Sequence, residues 1–184
     1  AYSVYGVDLL SIDQPHFTID VFVQMPAGWR LDAVAGNSDQ QKTVACSTSF
    51  YQDSYGGPTS LDVNPAFYEM IPDLEWDSRV TIGAIDSTGN PVPENTLNQV
   101  GIDWTDFEAG GDLAVGNGVW FVIPTDVQGV SQSFIADDCS AQNGVLIARL
   151  TAMEMNAEVL VEALFQGRTA GDEVWQAMTG GYIT

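Results

Sequence analysis

The sequence predicts an all-β protein: an antiparallel β-sandwich of about eight to ten strands with one short helix. Short runs of alternating apolar and β-branched residues recur every ten or so positions, the spacing of sandwich strands. Between them lie turn-forming tracts such as Gly89-Asn90-Pro91. Hydrophobic residues make up 45% of the chain although 25 acidic against 5 basic side chains leave a net charge of −20. Disorder requires low hydrophobicity as well as high charge, so a folded globule is expected. The 184 residues fit one domain spanning 1–184, with neither repeat nor low-complexity tract.

Taken in order, AYSVYGVDLL alternates Tyr2, Val4 and Gly6 against Tyr5, Val7 and Leu9 and reads as a strand. HFTIDVFVQM is a stronger strand through Phe17, Ile19, Phe22 and Val23. Pro26 and Gly28 mark a turn, and WRLDAVAG is expected to return as its hairpin partner, with Leu31, Ala33 and Ala35 on one face. KTVACSTSF alternates Val44, Cys46, Thr48 and Phe50. VWFVIP, almost wholly apolar, reads as a central strand. GVLIARLTA sets Val145, Ile147 and Ala148 against Leu146 and Arg149, an imperfect alternation. MEMNAEVLVEALF is rich in helix formers, yet the regular strand spacing around it favours a strand; AGDEVWQAMTGGYIT carries the same ambiguity.

The organising stretch is FYQDSYGGPTSLDVNPAFYEMIPDLEWDSRVTIG, residues 50–83, which concentrates aromatic rings, carboxylates and prolines. So many rings are costly to leave in water, which predicts a long connection packed against the sheets. Asn64 and Pro65 read as the cap and first position of a helical turn or two that Pro72 stops. The run WDSRVTIGAI then resumes strand character.

The charge excludes nucleic acid, whose phosphates need Lys and Arg, and also anionic membrane surfaces. No apolar run is long enough to cross a bilayer, so no membrane insertion is expected. Cations or high salt are the natural companions of such a surface. Cys46 and Cys139 are read as a disulfide, with free buried thiols as the alternative. Together with an opening Ala1 in place of Met, which reads as a processed or an excised chain, this points to an extracellular or cell-surface address.

The succession TSFYQDSYGG, NPAFYEMIPDLEWDSRVTIG, GVWFVIP and GVLIARLT resembles a poorly characterised β domain. That domain recurs in large secreted or surface proteins of marine and planctomycete-type bacteria and of some algae. The likeness covers most of the chain from Phe17 onward. It implies a secreted β-rich module without an assigned reaction.

Asp73, Glu75 and Asp77 stand at i, i+2 and i+4, so an extended backbone would set three carboxylates on one face. Oxygen ligands suit Ca²⁺, and Asp53, Asp62 and Asn64 could complete the shell; a solvated acidic face is the alternative. Asp103, Asp106, Glu108 and Asp112 form a second, weaker acidic loop. Tyr51, Tyr55, Tyr68, Trp29 and Trp104 could stack on sugars, as in a Ca²⁺-dependent carbohydrate-binding module, or simply fill the core. No nucleophile elbow or phosphate-binding loop occurs, and His16 is the single imidazole, so no enzyme is expected. The favoured function is an extracellular structural or adhesive protein that associates with itself or with matrix components. In that reading residues 1–15 form an arm that donates Tyr2, Val4, Tyr5, Val7 and Leu9 to a neighbour's sheet, building filaments stabilised by divalent cations; pairing at home as the first strand of its own sheet is the alternative.

Overall fold

The computed structural model describes residues 1–7 and 16–183, with backbone alone at 4–7 and 181–183. Twelve strands form two antiparallel sheets that face each other across one core, as the all-β reading required. The strands are β1 (Tyr2–Val7), β2 (His16–Gln24), β3 (Arg30–Gly36), β4 (Lys42–Cys46), β5 (Arg79–Val80) and β6 (Asn98–Val100). They continue with β7 (Leu113–Val115), β8 (Gly118–Phe121), β9 (Gln132–Ile135), β10 (Ala141–Ala152), β11 (Val159–Arg168) and β12 (Val174–Ile183). The count exceeds eight to ten because several members are two- to four-residue pieces laid beside the long strands.

The first sheet runs β1-β2-β10-β5, with β9 beside the start of β10. The second runs β6-β8-β3-β11-β4-β7, with β12 along the other side of β11. The expected hairpin between β2 and β3 does not form. The turn at Gly28, whose φ is +79°, carries the chain from one sheet to the other, so β2 pairs with β1 and β10 while β3 pairs with β8 and β11. VWFVIP does supply an interior strand, β8, between β6 and β3.

Two β-bulges explain where alternation failed. The β10–β2 register shifts between Leu146 and Ala148, so Val145, Ile147, Ala148 and Leu150 all reach the core. The β11–β3 register shifts where Asp32 stands, which turns Val34 rather than Ala33 inward beside Leu31. The segment rich in helix formers is β11, whose buried positions alternate from Val159 to Phe165. Burying an apolar face of a two-sided sheet outweighs propensity differences of a few tenths of a kcal/mol per residue.

The centre of the first sheet, in β2, β5 and most of β10, is buried on both faces. Residues 51–78 lie over its outer side, where Arg149 forms a bidentate pair with Asp20 at 2.8 Å per bond and Thr18 bonds Thr151. Trp76 covers this layer, with the Arg149 guanidinium 5.3 Å from its ring and its carbonyl accepting from Thr151 Oγ1. The aromatic stretch is thus a packed connection. Its helical part is two 3₁₀ turns, Pro65–Phe67 and Pro72–Trp76, and Asn64 caps the first by accepting from the Ala66 N–H at 3.0 Å. A four-residue helix, α1 (Thr105–Glu108), seats Phe107 in the core.

Candidate functional site

The carboxylates expected to hold Ca²⁺ do not share a face. Asp73 and Glu75 lie on the 3₁₀ turn Pro72–Trp76, where three residues complete a circuit and positions i and i+2 diverge. Proline at the head of that turn and the packing of Leu74, fully buried, favour the tight turn over a strand. The others serve the loop itself. Asp53 accepts from the Tyr51 hydroxyl and the Tyr55 N–H, both at 2.9 Å, and Asp62 accepts from the N–H and hydroxyl of Thr59. Asn64 is occupied as the cap described above. Among the described residues no three His, Cys, Asp or Glu side chains converge as a metal site.

Asp77 is the exceptional member, fully buried. Its Oδ1 accepts the Asp53 N–H at 2.6 Å and its Oδ2 the Gly57 N–H at 3.0 Å, tying down the Asp53–Gly57 loop. A Cβ at Gly56 would collide with that carboxylate and one at Gly57 with the Asp62 side chain, which is why two glycines stand there. Burial pushes the Asp77 carboxyl up to about 7, outweighing the two N–H donors and the nearby Arg79 guanidinium. Arg79 is itself buried, donating to the carbonyls of Glu75, Asp77 and Ile85.

In the second acidic group, Asp103 accepts from the Thr105 N–H and hydroxyl, which hold its carboxyl below the usual range. Asp112 accepts from the Cys46 N–H. The first closes a local turn, and the second ties the approach to β7 onto the end of β4.

The aromatic candidates do not form a platform. Tyr51 is buried, and Trp104 leans on Phe107 and Trp120 at 6.2 and 6.4 Å with its Nε1 donating to Gln99. Trp29 packs against Trp175 at 6.2 Å. Tyr68 is half-buried, and burial raises its phenol. Tyr55 alone is well presented, 67% exposed.

The expected disulfide is not formed: Cys46 and Cys139 are free. Cys46 ends β4 in the second sheet, whereas Cys139 is exposed in the β9–β10 turn of the first, with φ at +62°. Alternating polar context does not place two residues on opposing elements. His16 is buried at the head of β2. Sequence reading passed over Lys42, whose side chain is fully buried with Nζ 4.0 Å from the Trp120 ring and 3.3 Å from the Gly118 carbonyl. Burial pushes this amine down to about 7. Its signal was present, since Lys42 has the same strand parity as the core residue Val44.

The arm expectation is also corrected. β1 pairs with β2 of its own chain over Tyr2–Val7, the backbone of Val4 opposite Ile19 and that of Tyr5 opposite Thr18, so it is an edge of its own sheet; Leu9 lies outside the described residues. Home pairing wins because β2 otherwise has one free edge within reach. What remains open lies at the same side of the sandwich. A cleft of about 430 Å³ enters between the sheets there, walled by Val21, Val23, Ile147, Val161 and Phe165. Tyr2 of β1 and Thr179 of β12 flank its mouth. Neither bordering strand contains a charged residue: β1 reads YSVYGV and β12 reads VWQAMTGGYI. β12 is exposed at Val174 and from Gln176 to Gly180, with Val174 61% and Met178 37% accessible.

No helix among the described residues is long and apolar enough to cross a membrane. No family model, no curated protein and no solved structure matches this chain.

Proposed function

We propose that this protein is a non-catalytic structural or adhesive module of the cell surface or extracellular space, and that it works by associating with its own kind along sheet edges. The observation that carries the reading is the pair of uncharged strands that border the cleft. In a chain of net charge −20, the two long edge strands flanking one apolar cleft hold no charge at all. Exposed edges are normally protected by charges, prolines or bulges, because their free N–H and C=O groups template further strands. An acidic copy of the molecule meets least repulsion along this side. The resemblance to a secreted β-rich module supports the same reading. Salt and divalent cations promote association here by screening the remaining surface.

Sedimentation equilibrium of the unmodified chain over a range of protein and salt concentrations tests this. Reversible association that strengthens as ionic strength rises is expected, since a Debye length of about 10 Å at 0.1 M shortens to about 3 Å at 1 M. A chain that stays monomeric at every protein and salt concentration overturns the reading.

A further inference from the structure

We propose that β12 pairs antiparallel with β12 of a second copy, across a two-fold axis perpendicular to the sheet and passing close to Met178. The inference rests on the self-association reading above and narrows it to one edge and one symmetry. It begins with the quality of the edge. β12 pairs with β11 in unbroken register from Val174 to Ile183, whereas the β10–β2 and β11–β3 ladders are both interrupted. It contains no proline, charge or bulge, so the devices that discourage edge pairing are missing together. Gln176 to Gly180 are all exposed, and the side chain that lies close against Gly180 is that of Glu162 on the neighbouring β11. Among the described residues β12 pairs with β11 alone, so a second strand can add along its outer edge without displacing a strand already there.

Orientation follows from the charges at one end. Asp172 and Glu173 immediately precede β12. Parallel pairing would set the two acidic turns side by side, while antiparallel pairing sends them to opposite ends. Two antiparallel strands related by symmetry share a two-fold normal to their sheet, so residues that face each other come from the same side of it. With the axis at Met178, the position of Val174 faces that of Tyr182 and Gln176 faces Gly180, keeping every uncharged residue from Val174 to Tyr182 inside the pair. The alternative, β12 against β1 of the next copy, matches ten residues with six and does not close on itself. The two-fold arrangement also brings the two cleft mouths face to face, removing apolar surface from water beside the new ladder. The assembly is then a closed pair with a continuous double sheet, in place of the filament expected from an arm.

The test uses cysteine cross-linking in a full-length chain in which Cys46→Ser and Cys139→Ser remove the native thiols. Thermal unfolding first confirms that each variant folds like the parent. Met178→Cys is expected to give a covalent dimer on mild oxidation, because residues opposed on an antiparallel pair bring their Cβ atoms to about 4.5–5.5 Å. Val174→Cys is expected to give none, since its opposing position is Tyr182. Met178→Glu is expected to weaken association at least ~10-fold by placing two carboxylates together. Cross-linking at both positions means parallel pairing and overturns the proposal. A dimer seen by sedimentation that cross-links at neither position places the contact elsewhere; it overturns this inference while self-association stands. Monomers throughout overturn both.

Discussion

Replacing Asp77 by Asn isolates the one carboxyl that the fold holds far from its ordinary titration range. The wild-type side chain is fully buried, and its carboxyl is pushed from 3.8 to about 7, mainly by loss of hydration. A folded-state value above the unfolded one means the native state binds the proton more tightly. Stability from this group is therefore fully present below pH 3.8 and lost progressively as the pH rises through about 7. At 1.36 kcal/mol per pH unit the full span is worth ~4 kcal/mol, taken as a ceiling. The amide of the Asp77→Asn variant does not titrate, so that chain carries no such loss. It does bring an NH₂ where one backbone N–H pointed at an oxygen, costing ~1–3 kcal/mol at every pH.

The measurement is urea unfolding of both proteins from about pH 4 to about pH 8, reading the difference between them. Titration of the remaining acidic groups, and the general repulsion they create, is common to both chains and cancels. Wild type is expected to be the more stable at the acid end, with its advantage shrinking or reversing by ~2–4 kcal/mol toward neutrality. A difference that is flat across this range, or that grows with pH, refutes the argument. It would mean that the N–H groups of Asp53 and Gly57 outweigh desolvation and keep Asp77 ionised.

Two further outcomes follow from other buried charges. Lys42→Met keeps the side-chain volume on the Trp120 ring but removes an amine lowered from 10.5 to about 7; its stabilising effect relative to wild type should increase as pH falls from 10.5 to about 7 in the same unfolding assay, and no pH dependence would count against a buried amine. Asp20→Ala strips the carboxylate from Arg149 in the layer beneath Trp76 and should cost ~3–5 kcal/mol, whereas Asp20→Leu with Arg149→Met should recover most of the loss; equal costs for single and double variants would refute that account.

Strand after strand was legible because burial on one face writes a period of two into the chain. The readings failed where the period was interrupted or where partners were distant. Bulges at Ile147 and Asp32 shift parity by one residue, and nothing local in GVLIARLTA or WRLDAVAG announces which residue is the extra one. The turn at Gly28 looks the same whether its flanking strands join one sheet or two, since the choice depends on β10 and β11 more than 100 residues later in sequence order. The i, i+2, i+4 carboxylates looked like a ligand face only for an extended chain, and the proline opening Pro72–Trp76 was the signal for a tighter turn. Open edges are hardest to read, because being an edge is a property of strand order. The absence of charge from VWQAMTGGYI was visible, but its meaning depends on β12 having one neighbour.

The placement of the cations gives the proposed association its physical form. All five basic residues are engaged or buried: Lys42 and Arg79 lie in the interior, Arg149 grips Asp20, Arg30 bonds Asp32, and Arg168 bridges to Asp32 and Asp172. The exterior therefore offers a neighbouring copy little but carboxylates. Complementary charge, the usual means of steering one protein onto another, is not on offer between two such surfaces. Contact between copies must use groups that carry no net charge, and main-chain N–H and C=O groups along an unprotected strand are the strongest of these. The same arrangement sets the response to solvent. Added salt ordinarily weakens protein pairs held by opposite charges, but here it removes only repulsion. Association should therefore strengthen with NaCl, and should do so at lower ionic strength once acidic residues near the β12 turn, Asp172 and Glu173, are replaced by Asn and Gln. Association that weakens with salt would show that a cation–carboxylate contact, rather than a strand edge, holds the copies together.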